Sequence, residues 1–268
     1  MGLIASLPEI NQKYQSVFVM HEKSEKMIPL HTHSKGQLSY VEGGIAYITI
    51  DFSTYVVPAR HYFWIPAGVE HVLRLGFSAT VLRSLYFYSY DDHEDAFYSK
   101  LGIYPANELL IQMISYTEKW DGHHVDYTDK NFIFFVTLKN LLPQFDNQAL
   151  TIILPVTEHE QMKEIVKYLE KNIKERITLE IVSNQFNLSE RSMSRLFQST
   201  LKISFLQYLK TIRMIKAIEL ILKTQRSVNE IAYAVGYSAP SSFSDTFYEF
   251  THTRPSDFRK KVKSLSPM

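Results

Sequence analysis

The stretch TLEIVSNQFNLS at residues 178–189 returns 49 positions later as SVNEIAYAVGYS at residues 227–238. Self-similarity of this kind marks a duplicated unit. Each copy opens on a hydroxyl suited to cap a helix, Thr178 or Ser227, and carries a small residue midway, Ser183 or Ala232. Each then reaches a residue that tolerates a left-handed backbone, Asn187 or Gly236, with Ser189 or Ser238 beside the next helix start. The segments that follow, SMSRLF at 192–197 and SFSDTF at 242–247, pair at an offset of 50, so the second turn holds one extra residue. Helix, turn, helix is the geometry in which a second helix projects side chains into a DNA groove while the first braces it across the backbone.

Apolar spacing gives each copy a core: Val182, Phe186, Met193, Leu196 and Phe197 in the first, Ile231, Val235, Phe243 and Phe247 in the second. Between them Phe205, Leu206, Leu209, Ile212, Ile215, Ile218, Ile221 and Leu222 recur at helical spacing and predict a long strut. Such a strut would set two heads roughly 34 Å apart, one duplex turn. Charge agrees. The overall +1 hides 11 Lys and Arg against 16 Asp and Glu in residues 1–155, a net −5, and 18 against 12 in residues 156–268, a net +6. A basic half joined to an acidic one fits a chain of which one part meets a polyanion. Uneven solvated surface is the plainer account of the charge taken alone.

The 268 residues allow about two domains, and 45% apolar with 13% aromatic content fills their cores. Nine Gly and ten Pro argue against disorder or collagen. No apolar run reaches the roughly 18–20 residues of a membrane helix, and the N-terminus lacks a signal-peptide pattern, which favours the cytoplasm. With no Cys, disulfides, thiolate metal sites and Cys nucleophiles are excluded. Gly-rich phosphate loops and a Ser nucleophile elbow are absent.

Residues 14–90 read as short β-branched and aromatic runs: 14–20, 37–42, 45–51, 55–57, 61–65, 72–75 and 80–88. Seven strands at this spacing suggest a sandwich or barrel. Gly43 and Gly44 predict a two-residue hairpin, and Pro66, Ala67 and Gly68 a second turn. Helices follow at 108–120, capped by Asn107, and at 131–142, capped by Thr128 or Asp129, with 143–157 as linker. This helix pair fits a domain core and a subunit contact equally. The expected fold is thus α+β and multidomain: a sensor-like β-barrel at 1–90, connecting or dimerisation helices and linker at 91–155, and an all-α domain with two helix-turn-helix motifs at 156–268.

Residues 178–259 resemble the AraC/XylS family of bacterial transcription regulators. The resemblance is carried by Arg195 with Phe197, by Tyr208, Arg213, Ala217 and Leu220 on the strut, and by Glu230-Ile231-Ala232 with Gly236-Tyr237-Ser238. Ser241, Phe243, Phe247, Pro255 and Arg259 complete it. It implies that Arg191, Ser192, Ser194 and Arg195 face one groove of double-stranded promoter DNA, and Pro240, Ser241, Ser242, Ser244 and Asp245 the next. Asp245 stands where the family usually has Arg. A carboxylate there repels phosphate or accepts from a cytosine amino group. Asn187, Lys202 and His252 stand where the family usually has Gly.

The N-terminal half resembles the cupin-like sensor domain common in that family: His31-Thr32-His33, Gln37 and Gly43, then Pro66 to His71, echo two cupin motifs. Alternate residues share a strand face, so His31, His33 and His71 with Gln37 are a candidate metal set. Gln in place of a carboxylate argues against one, and no metal or cofactor is expected. His31, His33, Tyr40, Tyr47, Trp64 and His71 are expected at a barrel mouth suited to a small organic effector. Together these features predict a sequence-specific, homodimeric regulator, an activator by family habit, with an RNA polymerase contact, no membrane partner and no enzymatic activity. The alternative is a metal-dependent cupin enzyme fused to a helical domain.

Overall fold

Two periodicities divide the chain, alternation at two residues before about residue 105 and at three to four after residue 160. The computed structural model describes residues 3–22, 26–76, 81–145, 149–150 and 152–263. It falls into two compact units, residues 1–50 with 57–151, and residues 51–56 with 152–268.

In chain order helix α1 (Leu3–Ile10) is followed by strands β1 (Ser16–Glu22), β2 (Met27–His31), β3 (Gly36–Val41), β4 (Ile45–Ile50), β5 (Ser53–Pro58), β6 (His61–Ile65), β7 (His71–Leu75), β8 (Leu82–Phe87) and β9 (Gly102–Pro105), of which β5 lies mostly in the second unit and the others in the first. Helix α2 (Glu108–Tyr116), strand β10 (His124–Asp126) and helix α3 (Phe132–Leu141) complete the first unit. One antiparallel sheet has the order β10-β1-β8-β3-β6-β9; in a second, β7 lies between β4 and β2. The expected Gly43–Gly44 hairpin does not form. Strand β3 pairs with β6 and β8, while β4 pairs with β7, so the glycines, Gly44 at φ +74°, carry the chain from one sheet to the other. Thr80, the expected start of the last strand, lies outside the described residues.

Helices α2 and α3 cover the outer face of the six-stranded sheet. Leu110, Ile111, Ile114, Phe135 and Leu138 pack with Val17, Val19, Leu38, Tyr40, Tyr62, Trp64, Leu85 and Phe87 in one core. Asn107 caps α2 as expected, its Oδ1 accepting from Leu110 N at 2.8 Å. Thr128 and Asp129 do not cap α3; Asp129 instead accepts from Asn131 N at 2.8 Å, two residues ahead of the cap position, which Asn131 takes without a side-chain bond. From α3 the buried Lys139 ammonium donates to Asp91 (2.5 Å), Asp92 (2.7 Å) and the Tyr88 carbonyl (2.8 Å). A charge this deep is stable only when paired in this way.

In the second unit β5 meets β11 (Ile153–Pro155), Ser53, Thr54 and Tyr55 opposing Pro155, Leu154 and Ile153. Seven helices follow: α4 (Glu160–Lys171), α5 (Leu179–Gln185), α6 (Glu190–Thr200), α7 (Phe205–Lys223), α8 (Val228–Ala234), α9 (Pro240–Thr251) and α10 (Pro255–Lys263). The duplication extends to the hydrogen bonds that start each first helix and close each turn. Thr178 and Ser227 cap α5 and α8, and Leu188 N donates to Ser183 O where Tyr237 N donates to Ala232 O, both at 2.9 Å. The turns hold residues 186–189 and 235–239, and in the longer one Pro240 opens α9 without a side-chain cap. Helix α7, about 28 Å long at 1.5 Å per residue, buries Phe205, Tyr208, Leu209, Ile212, Ile215, Ile218 and Ile221. Leu206, expected in that core, is exposed because it falls on the opposite face.

Positive φ recurs where the sequence predicts it: Asn187 at 53°, Lys202 at 58°, His252 at 52° and Gly236 at 82°. A left-handed Lys or His costs roughly 1–2 kcal/mol. Gly236 is further confined, since a Cβ would lie 2.5 Å from the Ile173 carbonyl and from an Arg213 nitrogen. Opposite effects follow in thermal unfolding. Gly236→Ala lowers stability by about 2 kcal/mol or more, whereas Lys202→Gly raises it by up to about 1 kcal/mol.

Candidate functional site

Helix α6 is amphipathic by construction: Met193 and Phe197 are fully buried, and Arg191, Ser192, Ser194 and Arg195 are all exposed on its other side. Ser189 Oγ accepts from Ser192 N at 3.1 Å and fixes the helix start. Ser192, Arg195 and Ser199, with Leu196 and Gln198, line a shallow concavity on this helix. Gln198 and Ser199 were absent from the sequence-based set, although i, i+3, i+7 spacing from Ser192 places Ser199 on the same side.

Helix α9 repeats the pattern with different chemistry. Phe243, Thr246 and Phe247 are buried, Ser241, Ser242 and Asp245 exposed, and Pro240 and Ser244 half-buried. Asp245 does not face solvent as a bare anion: Arg254 Nη1 donates to it at 2.6 Å. Arg254 comes from the turn after α9, nine residues away, where helical periodicity gives no signal. Behind both units, Arg213 of α7 donates to the Glu175 carbonyl at 3.1 Å and lies 5.7 Å from the Tyr237 ring centroid. Burial lowers its pKa from the ordinary arginine value.

The first unit gathers a second group of polar side chains. Ring nitrogens of His31, His33 and His71 lie within 4.8 Å of one another, all three residues buried. His31 closes β2, whereas His33 lies beyond it, so the shared strand face expected for the pair is not the reason they meet. A turn does this instead: Gly68 N donates to His33 O at 2.8 Å, tying the chain before β7 to the chain after β2. Each Nδ1 faces a backbone carbonyl, of Pro29 (2.8 Å), Lys35 (2.6 Å) and Val69 (2.9 Å) respectively. A carbonyl only accepts, so in neutral His31 and His71 Nδ1 carries the proton and Nε2 the lone pair, whereas His33 has an acceptor oxygen at both nitrogens, Lys35 O and Gln37 Oε1, and its single proton serves one of them.

The Gln37 amide spans His33 Nε2 (3.0 Å) and Ser39 Oγ (2.8 Å), and Ser39 bonds Ser84 at 2.7 Å. Desolvation lowers the His33 pKa and holds that of His71 at about 3, so both rings are neutral. Ring nitrogens of three histidines are a donor set that a divalent transition metal accepts, with each Nδ1 oriented from behind, although His33 Nε2 is already engaged by Gln37. The fourth group facing them is the neutral Gln37, already engaged, and no carboxylate joins the cluster among the described residues. The Lys35 side chain turns to the start of β1 instead: its Nζ donates to Lys13 O (3.0 Å), Ser16 O (2.6 Å) and Ser16 Oγ (3.2 Å), and burial lowers its pKa to about 8.

Tyr40, Tyr47 and Trp64 do not share this site. Tyr40 and Trp64 alternate with Gln37 and Ile65, so they point to the helix-covered face. Tyr47 opposes Arg74, whose guanidinium lies 4.0 Å from its ring centroid, on the side away from His71 and Leu73. The residues that do face the histidines are Gln37 and Tyr86, the Tyr86 ring centroid 5.1 Å from that of His33.

Residues 182–261 match the model of a helix-turn-helix domain, and residues 19–91 that of an AraC-like ligand binding domain. The HTH-type transcriptional regulator NimR of Escherichia coli is 25% identical over 97% of this chain and 93% of its own. The virulence regulon transcriptional activator VirF of Shigella flexneri is 38% identical over 35% of this chain and 36% of its own. The C-terminal domain of AraT, a response regulator from Geobacillus stearothermophilus, is 34% identical and covers 38% of this chain and 84% of its own, with a TM-score of 0.37. With both domains matched in the order that the two folded units follow, the chain belongs to the AraC family and is a DNA-binding transcriptional regulator.

Proposed function

We propose that this regulator works as a cytoplasmic homodimer that activates transcription at promoter DNA in response to a small organic molecule held in the N-terminal domain, and that it catalyses no reaction. The observation that carries the reading is the duplicated fold of residues 178–251, with each second helix buried on one side and polar on the other. Arg191, Ser192, Ser194 and Arg195 then read or grip one major groove, and Pro240, Ser241, Ser242 and Ser244 line the next. Activation is favoured by the name of VirF, an activator alike over the C-terminal part, and would involve contact with RNA polymerase.

The effector would meet His31, His33 and His71 beside Gln37 and Tyr86. With its Nδ1–H spent on the backbone and its ring neutral, the unshared Nε2 of His71 favours a ligand that donates an O–H or N–H. Leu109 and Tyr116 of α2 and Ile133 of α3 are exposed apolar side chains on helices whose other faces are buried, and they suit a contact with a second copy. Pairing two monomers multiplies affinity through effective concentration. Effector binding regulates such a dimer only by favouring one of its states over another.

Two outcomes are expected. Arg195→Ala weakens binding to the cognate promoter by about 1–3 kcal/mol in a fluorescence anisotropy titration if it reads a guanine; unchanged affinity removes it from the interface. The second concerns acid. His71 is depressed to about 3 when folded, against an ordinary 6.5, so the unfolded chain binds the extra proton between these values. Stability is therefore full above pH 6.5 and falls below it, by up to about 1.4 kcal/mol per pH unit for this group. Unfolding midpoints of the whole chain at pH 7 and 5 should differ, and less so for His71→Gln. Equal midpoints would contradict a neutral buried His71.

A further inference from the structure

The two reading helices differ in charge. Helix α6 carries Arg191 and Arg195, whereas α9, PSSFSDTFYEFT, has no Lys or Arg and two acids, Asp245 and Glu249. A helix of this charge meets the phosphate backbone unfavourably. Arg254 changes that balance from outside the helix. Its Nη1 donates to Asp245 Oδ1 at 2.6 Å, the same nitrogen is 3.5 Å from Ser244 Oγ, and the guanidinium lies 4.9 Å from the Tyr248 ring centroid.

The backbone beneath Arg254 is held on both sides. Thr251 Oγ1 donates to Thr253 O at 3.0 Å, and the Arg254 carbonyl accepts from Asp257 N (3.0 Å) and Phe258 N (2.9 Å) as α10 begins. Pro255 further restricts the preceding residue to extended backbone. The Arg254 and Asp245 side chains are nonetheless 47% and 68% exposed, so the cation is fixed in position and open to a partner. A guanidinium has five N–H donors in a planar fork, and one edge spent on a carboxylate leaves others for a second anion.

We infer that Arg254 is a phosphate clamp of the second reading unit, supplying from the turn the positive charge that α9 lacks, and that Asp245 is its positioning residue. Recognition helices present their N-terminal residues to base edges. Arg254 follows the C-terminal end of α9 and reaches back to Ser244, Asp245 and Tyr248, so its guanidinium lies beside the helix rather than at its N-terminal tip and is placed for the sugar-phosphate backbone. This rests on the reading of α9 as the second recognition helix. It also gives Asp245 a use that needs no cytosine.

The deciding variant is D245N/R254Q in the full chain, because R254Q alone also bares a carboxylate. Binding to a mixed-sequence duplex of about three helical turns is followed by anisotropy across a salt series. R254Q binds most weakly. The double variant recovers part of the loss but stays about threefold to tenfold weaker than the parent, with a salt exponent smaller by about one; R254K restores the exponent. A double variant that binds like the parent shows that Arg254 only neutralises Asp245, and overturns the inference. So does a loss confined to one base pair with the exponent unchanged. R191A/R195A serves as reference: if it weakens binding and the double variant does not, only the clamp fails; if neither weakens binding, the helix-turn-helix reading fails with it. Unchanged unfolding midpoints establish that the surface variants remain folded.

Discussion

Burial of α7 along its length is the constraint on which the DNA-binding half depends. Phe205, Tyr208, Leu209 and Ile212 join the core of the first reading unit, with Met193 and Phe197. Farther along, Ala217, Ile218 and Ile221 are buried where α7 meets α8, α9 and α10. Each apolar side chain removed from water contributes of order 1.5–3 kcal/mol. A helix with ten buried positions in 19 residues therefore cannot rotate or slide without exposing much of that surface. Both second helices are presented from this one rigid support, and Gly236, pressed against the Ile173 carbonyl and Arg213, locks the second turn close beside it.

The first unit solves a different problem, how to keep charged and polar groups inside a β structure. Lys139 is paired with two carboxylates, and burial raises the pKa of Asp92 although the lysine opposes it. Lys35 has only carbonyl and hydroxyl oxygens as acceptors and titrates closer to neutrality. His33 and His71 give up their charge instead. These are the three outcomes open to a buried ionisable group: a counter-ion, hydrogen bonds to dipoles, or neutrality.

The helical half was legible in the sequence because its signals are local. Caps at Thr178, Ser189 and Ser227, turns of four and five residues, and apolar spacing all act within a few positions, and the left-handed sites at Asn187, Lys202 and His252 followed from the family pattern. The β half depends on pairings that the chain makes over long separations. Gly43 and Gly44 announce a turn but not whether the chain returns to the same sheet. The cupin-like motif placed Gln37 with His33, yet could not tell that Tyr40 and Trp64 point to the opposite face, since both faces of β3 and β6 are buried. Arg254 was invisible for a related reason: its partner lies across a turn whose geometry is set by His252, Thr253 and the start of α10.

Unlike heads give a single protomer a sense of direction along the duplex. One end offers two arginines on its reading helix; the other offers a serine-lined surface with its carboxylate already matched. A surface built this way is not superimposable on its own reversal, so a stretch of promoter and its inverted copy present different problems to it. On the proposed reading, the direction in which a protomer lies along its site is set by the composition of two short helices, before any partner adds asymmetry of its own.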